Sequence, residues 1–435
     1  MRKSLGPILG MTILLAACGA LAESPTVEEM QATIENLKTR LAALESQVAK
    51  QASVSQEETR RIMKEVQADA ASRSAAPGWL ENLKFLGDLR LRYQGDSYNW
   101  GLTDEARKKA RNRARFRLRF GFEKTWLDDQ LEVGFRLASG SNNDPTSTNQ
   151  TLGESASGEP PFAKRPVWID LAYAKYSPRS LKGLTIIGGK MKNPWMTNEI
   201  FMDTDVNPEG FWAGYNVAGL GPVEPFTGVG YFVLTESAAG HDTILYGPQT
   251  GLNWQINKDL KYTFATYWQK YDHYDTAAAS ARGNDSPLAR VPGFGVIGLT
   301  NNVGFKILRL PVSVFADWAH NCHAEDRQDD YGNANNAYAT GVKVGQNKNK
   351  GDWSAQYCFA YVEANSLPGQ FVDADFGFSN RKGHVVRATY NLLDNVTAGV
   401  AVLLTEPIFS PTTTSGSSAF EDRTVTVQTD LIWKF

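Results

Sequence analysis

Residues 111–122 read RNRARFRLRFGF, and the alternation in them is strict. Arg113, Arg115, Arg117 and Arg119 share one parity, while Ala114, Phe116, Leu118, Phe120 and Phe122 share the other. A strand has this period of two and a helix does not. A segment with one apolar wall and one column of guanidinium groups has two homes. It can cover a soluble core with its arginines in bulk water. It can also stand in a membrane barrel, with the apolar face toward lipid and the arginines toward an aqueous interior.

The rest of the chain favours the barrel. From residue 80 onward the period of two persists, as in LKFLGDLRLRYQ (83–94), where Phe85, Leu89, Leu91 and Tyr93 oppose Lys84, Asp88, Arg90 and Arg92. Further segments follow at 111–124, 130–139, 167–177, 184–191, 210–219, 226–236, 242–256 and 260–272. Others lie at 295–308, 310–321, 337–348, 352–363, 383–392, 395–405 and 422–435, which predicts about 16 strands in all. Short turns such as TWLDD, NKDL and LLDN alternate with long polar loops at 95–110, 140–166, 192–209, 273–294, 322–336, 364–382 and 406–421. Only 237–241 is short where a long loop is due. Short turns at one end and long loops at the other mark an outer-membrane barrel. No apolar run beyond the N-terminus reaches the ~20 residues of a membrane helix. A formal net charge of −2 argues against a nucleic-acid partner.

The first 22 residues, MRKSLGPILGMTILLAACGALA, carry Arg2 and Lys3, a short apolar core and an A-x-A site, the pattern of a secretory signal peptide. LAAC at 15–18 offers a second route, lipidation of Cys18. Beyond it remain Cys322 and Cys358, too few for a disulfide framework. Within 23–76, Val27, Met30, Ile34, Leu37, Leu41, Leu44 and Val48 repeat at alternating intervals of 3 and 4, the apolar stripe of a short α-helical coiled coil. The expected organisation is a leader (1–22), a periplasmic coil and linker (23–76) and a transmembrane antiparallel β-barrel (80–435).

In such a barrel the arginines must face inward. Each one turned to lipid near the midplane would cost about 2–4 kcal/mol. Arg90, Arg92 and Arg136 share that parity, so neighbouring strands gather a pore-lining basic wall, with Asp88, Glu123 and Glu132 on the same face. Sixteen strands leave room for water. The best candidate to narrow the channel is loop 188–212, with Lys190, Lys192, Glu199, Asp203, Asp205 and Glu209. Acids facing a basic wall would set a transverse field that selects among solutes.

The leader, the coil, LRLRYQ, RARFRLRFGFE, GKMKNPW, DTDVNPEG and a terminal LIWKF together resemble the bacterial putative-porin family. The arginine ladder and the coil are also similar to the phosphate-selective porins. The resemblance covers nearly the whole mature chain and implies an outer-membrane channel, a homotrimer, and anions guided by Arg113 to Arg119. The acids of 199–209 depart from a phosphate-selective pattern. Outer-membrane barrels resemble one another in a last strand ending on Phe, so Trp433 and Phe435 would form the signal read by the barrel-assembly machinery.

No metal site or cofactor is expected. DTDVN (203–207) begins like a calcium loop, but Pro208 and Gly214 stand where that loop needs Gly and Glu. His320, Cys322 and His323 match no closed zinc spacing. No nucleophile elbow or zinc-protease motif is present, so the chain reads as no enzyme. The expected function is passive diffusion of small hydrophilic solutes with anion preference, in the bacterial outer membrane. The alternative is an envelope tether whose coil engages the cell wall, although the stripe from Val27 to Val48 is only about 33 Å long at ~1.5 Å per residue.

Overall fold

The computed structural model describes residues 28, 31, 32, 34–46, 60–64, 80–98, 110–154, 160–274, 282–284, 293–324, 333–409 and 423–435. The leader, Val27, Met30 and Val48 lie outside these residues. The chain divides into two units, Met1–Glu81 and Asn82–Phe435. In the first, residues 34–46 are helical, and Ile34, Leu37, Leu41 and Leu44 of the apolar stripe are exposed.

The second unit is a closed antiparallel barrel. Its strands are β1 (Leu83–Tyr98), β2 (Arg111–Trp126), β3 (Leu131–Ala138), β4 (Gln150–Thr151), β5 (Trp168–Tyr176), β6 (Leu184–Lys190), β7 (Glu209–Asn216), β8 (Val223–Thr235) and β9 (Thr243–Asn257). They continue as β10 (Leu260–Asp272), β11 (Phe294–Ile307), β12 (Leu310–Asn321), β13 (Asn336–Gly345), β14 (Trp353–Val362), β15 (Arg381–Leu393), β16 (Val396–Pro407) and β17 (Thr424–Lys434). Sixteen of the 17 strands form the wall, each paired with its neighbours, and β1 pairs with both β2 and β17 to close the ring. Each of the segments expected from periodicity is one of these wall strands. β4 is a two-residue arm within the β3–β5 loop, laid against Arg115 and Phe116 of β2.

Closure depends on Gly87. Its amide donates to the Phe435 carbonyl at 2.8 Å and its carbonyl accepts from the Phe435 amide at 3.1 Å. A Cβ on Gly87 would meet the Phe435 ring at 2.5 Å and the Arg119 carbonyl at 2.6 Å, so only glycine lets the first and last strands meet here. The outer surface shows why the alternation exists. Exposed Val229, Val314, Val386, Val400 and Leu404 lie between two aromatic belts. Trp126, Trp254, Trp353 and Tyr390 stand toward the short turns, and Trp168, Tyr231, Trp268 and Tyr338 toward the long loops. An apolar band between aromatic girdles is the outer face of a barrel in a bilayer.

The interior is not uniformly wet. Three connections fold inward: 139–154, 191–208 between β6 and β7, and 363–380 between β14 and β15. Met191, Trp195, Ile200, Phe201, Met202 and Val206 of the second are buried, as are Leu367, Phe371, Val372 and Phe376 of the third. They pack on inward side chains of the wall from β8 to β16, including Phe232, Tyr267, Tyr271, Phe294, Val362, Val385 and Leu403. One side of the barrel is therefore filled by an apolar core, and polar space remains beside β1, β2 and β17.

Candidate functional site

β1 and β2 pair with Arg90 opposite Arg117 and Arg92 opposite Arg115. Like charges set opposite one another destabilise a sheet, and interleaved carboxylates offset most of this repulsion. Asp88 accepts from Arg117 Nε at 2.8 Å and from Arg119 Nε at 2.6 Å. Arg113 bonds Asp96 at 2.6 Å. Arg92 takes Asp430 with Nε and Nη2 at 2.7 and 2.9 Å, and donates its Nη1 to Asp375 at 2.9 Å. Arg136 pairs with Asp170, which also accepts from Asn207 at 2.7 Å. Arg90 and Arg115 differ. Arg90 donates to Asn149 Oδ1 at 2.6 Å, and Arg115 to Gln94 Oε1 at 3.0 Å and Ser147 Oγ at 3.4 Å. Among the described residues neither makes an ion pair. Of the other acids on this wall, Glu132 bonds Lys175 and Tyr173, and Glu123 stands opposite Lys84.

Loop 191–208 crosses the interior and is pinned at several points. Gln249 of β9 grips Met196, accepting from its amide and donating to its carbonyl, both at 2.9 Å. Asn198 donates to the buried Asp317 of β12 at 2.6 Å. Glu199 reaches Arg387 of β15 and accepts from Gln356 at 3.0 Å, on the wall away from the arginine column. Asp205 lies 3.5 Å from Arg119 and accepts from Thr148 Oγ1 at 3.0 Å. Lys190 and Glu209 pair with each other at 2.7 Å at the base of the loop, and Lys192 is exposed.

The column and the loops enclose a slit of about 250 Å³. Four arginines line it, Arg90, Arg92, Arg117 and Arg387, against six carboxylates: Glu199, Asp203, Asp205, Asp373, Asp375 and Asp430. A wider chamber of about 960 Å³ lies beside it, lined by Lys190, Glu209, Asp170 and the turn 141–148. Burial and the neighbouring Asp373 and Asp205 carboxylates push the Asp203 carboxyl well above its ordinary range. Burial and Asp375 likewise push Asp373 up. Burial acts on Asp375 in the same direction, but the Arg92 and Arg115 guanidiniums and a hydrogen bond from Gln428 together outweigh it and hold that carboxyl low. Among the described residues no group of His, Cys, Asp and Glu is arranged to hold a metal ion. The arrangement's chemistry is that of fixed charge across a narrow wet gap.

Of the residues singled out in the sequence, Arg90, Arg92, Arg117, Glu199, Asp203 and Asp205 meet in the slit. Arg113, Arg115, Arg119 and Arg136 flank it along the wall, and Lys190, Lys192 and Glu209 do not line it. Trp433 and Phe435 stand at the closure of the barrel, Trp433 opposite Leu89 and Phe435 on Gly87. Sequence reasoning missed Asp373, Asp375, Arg387 and Asp430. One signal was there: LPGQFVDADFGF, 367–378, is too apolar for a loop in water.

A model of the family described as putative porin matches residues 103–288 and 297–421. Among solved structures, OprB of Pseudomonas putida matches at 12% identity and a TM-score of 0.50, covering 82% of this chain and 94% of that one. OmpF of Salmonella typhi, in a complex with daunomycin, matches at 12% identity and a TM-score of 0.48, covering 81% and 97%. A mutant porin of Rhodopseudomonas blastica matches at 11% identity and a TM-score of 0.41, covering 81% and 100%. Among curated proteins no relative matches.

Proposed function

On the premise that this chain belongs to the putative porin family, we propose that its slit is the selectivity constriction of an outer-membrane channel for small hydrophilic solutes, with a preference for anions. The family places the protein in the bacterial outer membrane as a channel. The finer reading rests on one observation. Arg90 and Arg115 stand in the column without a carboxylate partner, so their charge acts on whatever passes. A guanidinium already bound to Asp96 or Asp430 presents little net field to a solute.

The test is the reversal potential of the purified protein in a planar bilayer under a KCl gradient. Arg90→Ala/Arg115→Ala should keep conductance and lose most of the chloride preference. Unchanged selectivity would reduce the column to a structural charge network. No conductance in the native protein would overturn the channel reading.

A homotrimer fits two features. β3, β5, β6 and β7 have 8, 9, 7 and 8 residues, at or below the ~9–11 a tilted strand needs to cross the hydrocarbon core, so this sector is suited to a subunit contact. The exposed stripe of helix 34–46 is suited to a parallel coil. The terminal Trp433 and Phe435 are read as the signal for the barrel-assembly machinery.

A further inference from the structure

Loops 191–208 and 363–380 meet through a reciprocal exchange inside the barrel. The Asp203 amide donates to the Phe371 carbonyl at 2.8 Å, and the Asp373 amide donates to the Ile200 carbonyl at 3.0 Å. Each loop presents the same short motif at this junction, DTD at 203–205 and DAD at 373–375. In each, the first carboxylate caps its own turn. Asp203 Oδ1 accepts from the Asp205 amide at 2.8 Å, and Asp373 Oδ1 from the Asp375 amide at 2.7 Å. The exchange brings the two capping carboxylates beside each other at the slit.

We propose, resting on the channel reading above, that Asp203 and Asp373 are the specificity-determining pair of the constriction, both neutral on the acid side of their titration, and that loss of their protons turns the slit from anion-preferring to cation-preferring. The surroundings support this. Facing the pair are Arg90 and Arg92 from β1, Arg117 from β2 and Arg387 from β15. The acids facing it are Glu199 and Asp205 on the first loop, Asp375 on the second and Asp430 from β17. Most of these charges already have partners. Arg92 is bound by Asp430 and Asp375, Arg117 by Asp88, and Arg387 by Glu199 with Asp373 at 3.4 Å. Among the described residues Asp203 has no ion-pair partner. Two carboxylates buried together cannot both ionise without a cation for each, so both resist ionisation and lose their protons in two steps that belong to the pair.

The consequence follows from the balance. With all groups ionised, four arginines face six carboxylates in the slit, and acid is in excess. With Asp203 and Asp373 neutral, four face four within the slit, and Arg115, which flanks it without an ion-pair partner among the described residues, tips the balance to positive charge. Protons reach the pair through the water of the slit itself.

The experiment is the same bilayer reversal potential, measured as pH is lowered. The expected change lies in the interval from about 9 to about 7, to which the two carboxyls are pushed. The chloride-over-potassium permeability ratio should rise severalfold across it. Asp203→Asn/Asp373→Asn should be flat across that range and fixed at the acid-side value. Asparagine keeps the Oδ1 acceptor that caps each turn, so the loops retain their shape. A flat native profile, or a rise that persists in the double variant, overturns the proposal while leaving the channel intact. Absence of conductance in the native protein would instead overturn the channel reading. Infrared difference spectroscopy gives a second readout. A protonated-carboxyl band present near neutral pH in the native protein should vanish in the double variant, and its absence from the native protein would overturn the protonated pair.

Discussion

Arginine 92 and arginine 115 face each other across β1 and β2, yet they do different jobs. Arg92 is closed on both sides by Asp430 and Asp375, while Arg115 has only amide and hydroxyl oxygens. Arg92→Ala would strip two carboxylates of their cation inside the barrel. Removing one partner of a buried pair costs about 3–5 kcal/mol, so this variant should unfold at markedly lower denaturant than the native protein. Arg115→Ala leaves no charge orphaned and should unfold nearly where the native protein does while shifting selectivity. Equal unfolding midpoints for the two variants would contradict the pairing. The parity of both arginines was legible, Arg92 in LKFLGDLRLRYQ and Arg115 in RNRARFRLRFGF. Which of them is neutralised was not, because Asp430 lies 338 residues away from Arg92 in sequence and joins it only through closure of the ring.

At the scale of elements, the inward loops behave as packed structure. Gln249 satisfies both backbone groups of Met196, and Asn198 is fixed by Asp317. Gln249→Ala/Asn198→Ala leaves several buried polar groups unpaired, each costing about 1–3 kcal/mol. The loop should loosen, and single-channel recordings should show larger and noisier conductance. Recordings indistinguishable from native would show that the apolar core alone holds the loop. The turns carry a different lesson. Leu308 and Arg309 form the two-residue turn between β11 and β12 with φ of 48° and 74°. Left-handed backbone disfavours residues with a Cβ, by about 1–2 kcal/mol each. Leu308→Asn/Arg309→Gly, the pair this turn prefers, should therefore raise the unfolding midpoint. The alternation of short and long connections was plain in the sequence. The inward fold of 363–380 was signalled only by its apolar content, since the same polar and glycine-rich residues serve surface loops and inward ones.

Over the whole molecule, closure at Gly87 and Phe435 joins the two ends of the barrel. Gly87→Val would drive a side chain into the Phe435 ring and the Arg119 carbonyl. It should yield protein that fails to resist unfolding in detergent. Native-like resistance in Gly87→Val would show that the ends can meet elsewhere. Deleting residues 23–76 separates the N-terminal segment, read as a coil, from the channel. Conductance per barrel should survive, and cross-linked trimers should decline. Detachment of the envelope with normal trimers would favour the tether instead.

Strand number, inward and outward faces, and membrane placement were determined by the sequence alone. A period of two is a local property, and a lipid-facing charge is penalised wherever it occurs in the chain. The charged slit was decided only by tertiary structure. Asp203 meets Asp373, Glu199 meets Arg387 and Arg92 meets Asp430 across distances that no periodicity encodes. Whether a guanidinium is free or neutralised depends on which loop folds inward to reach it.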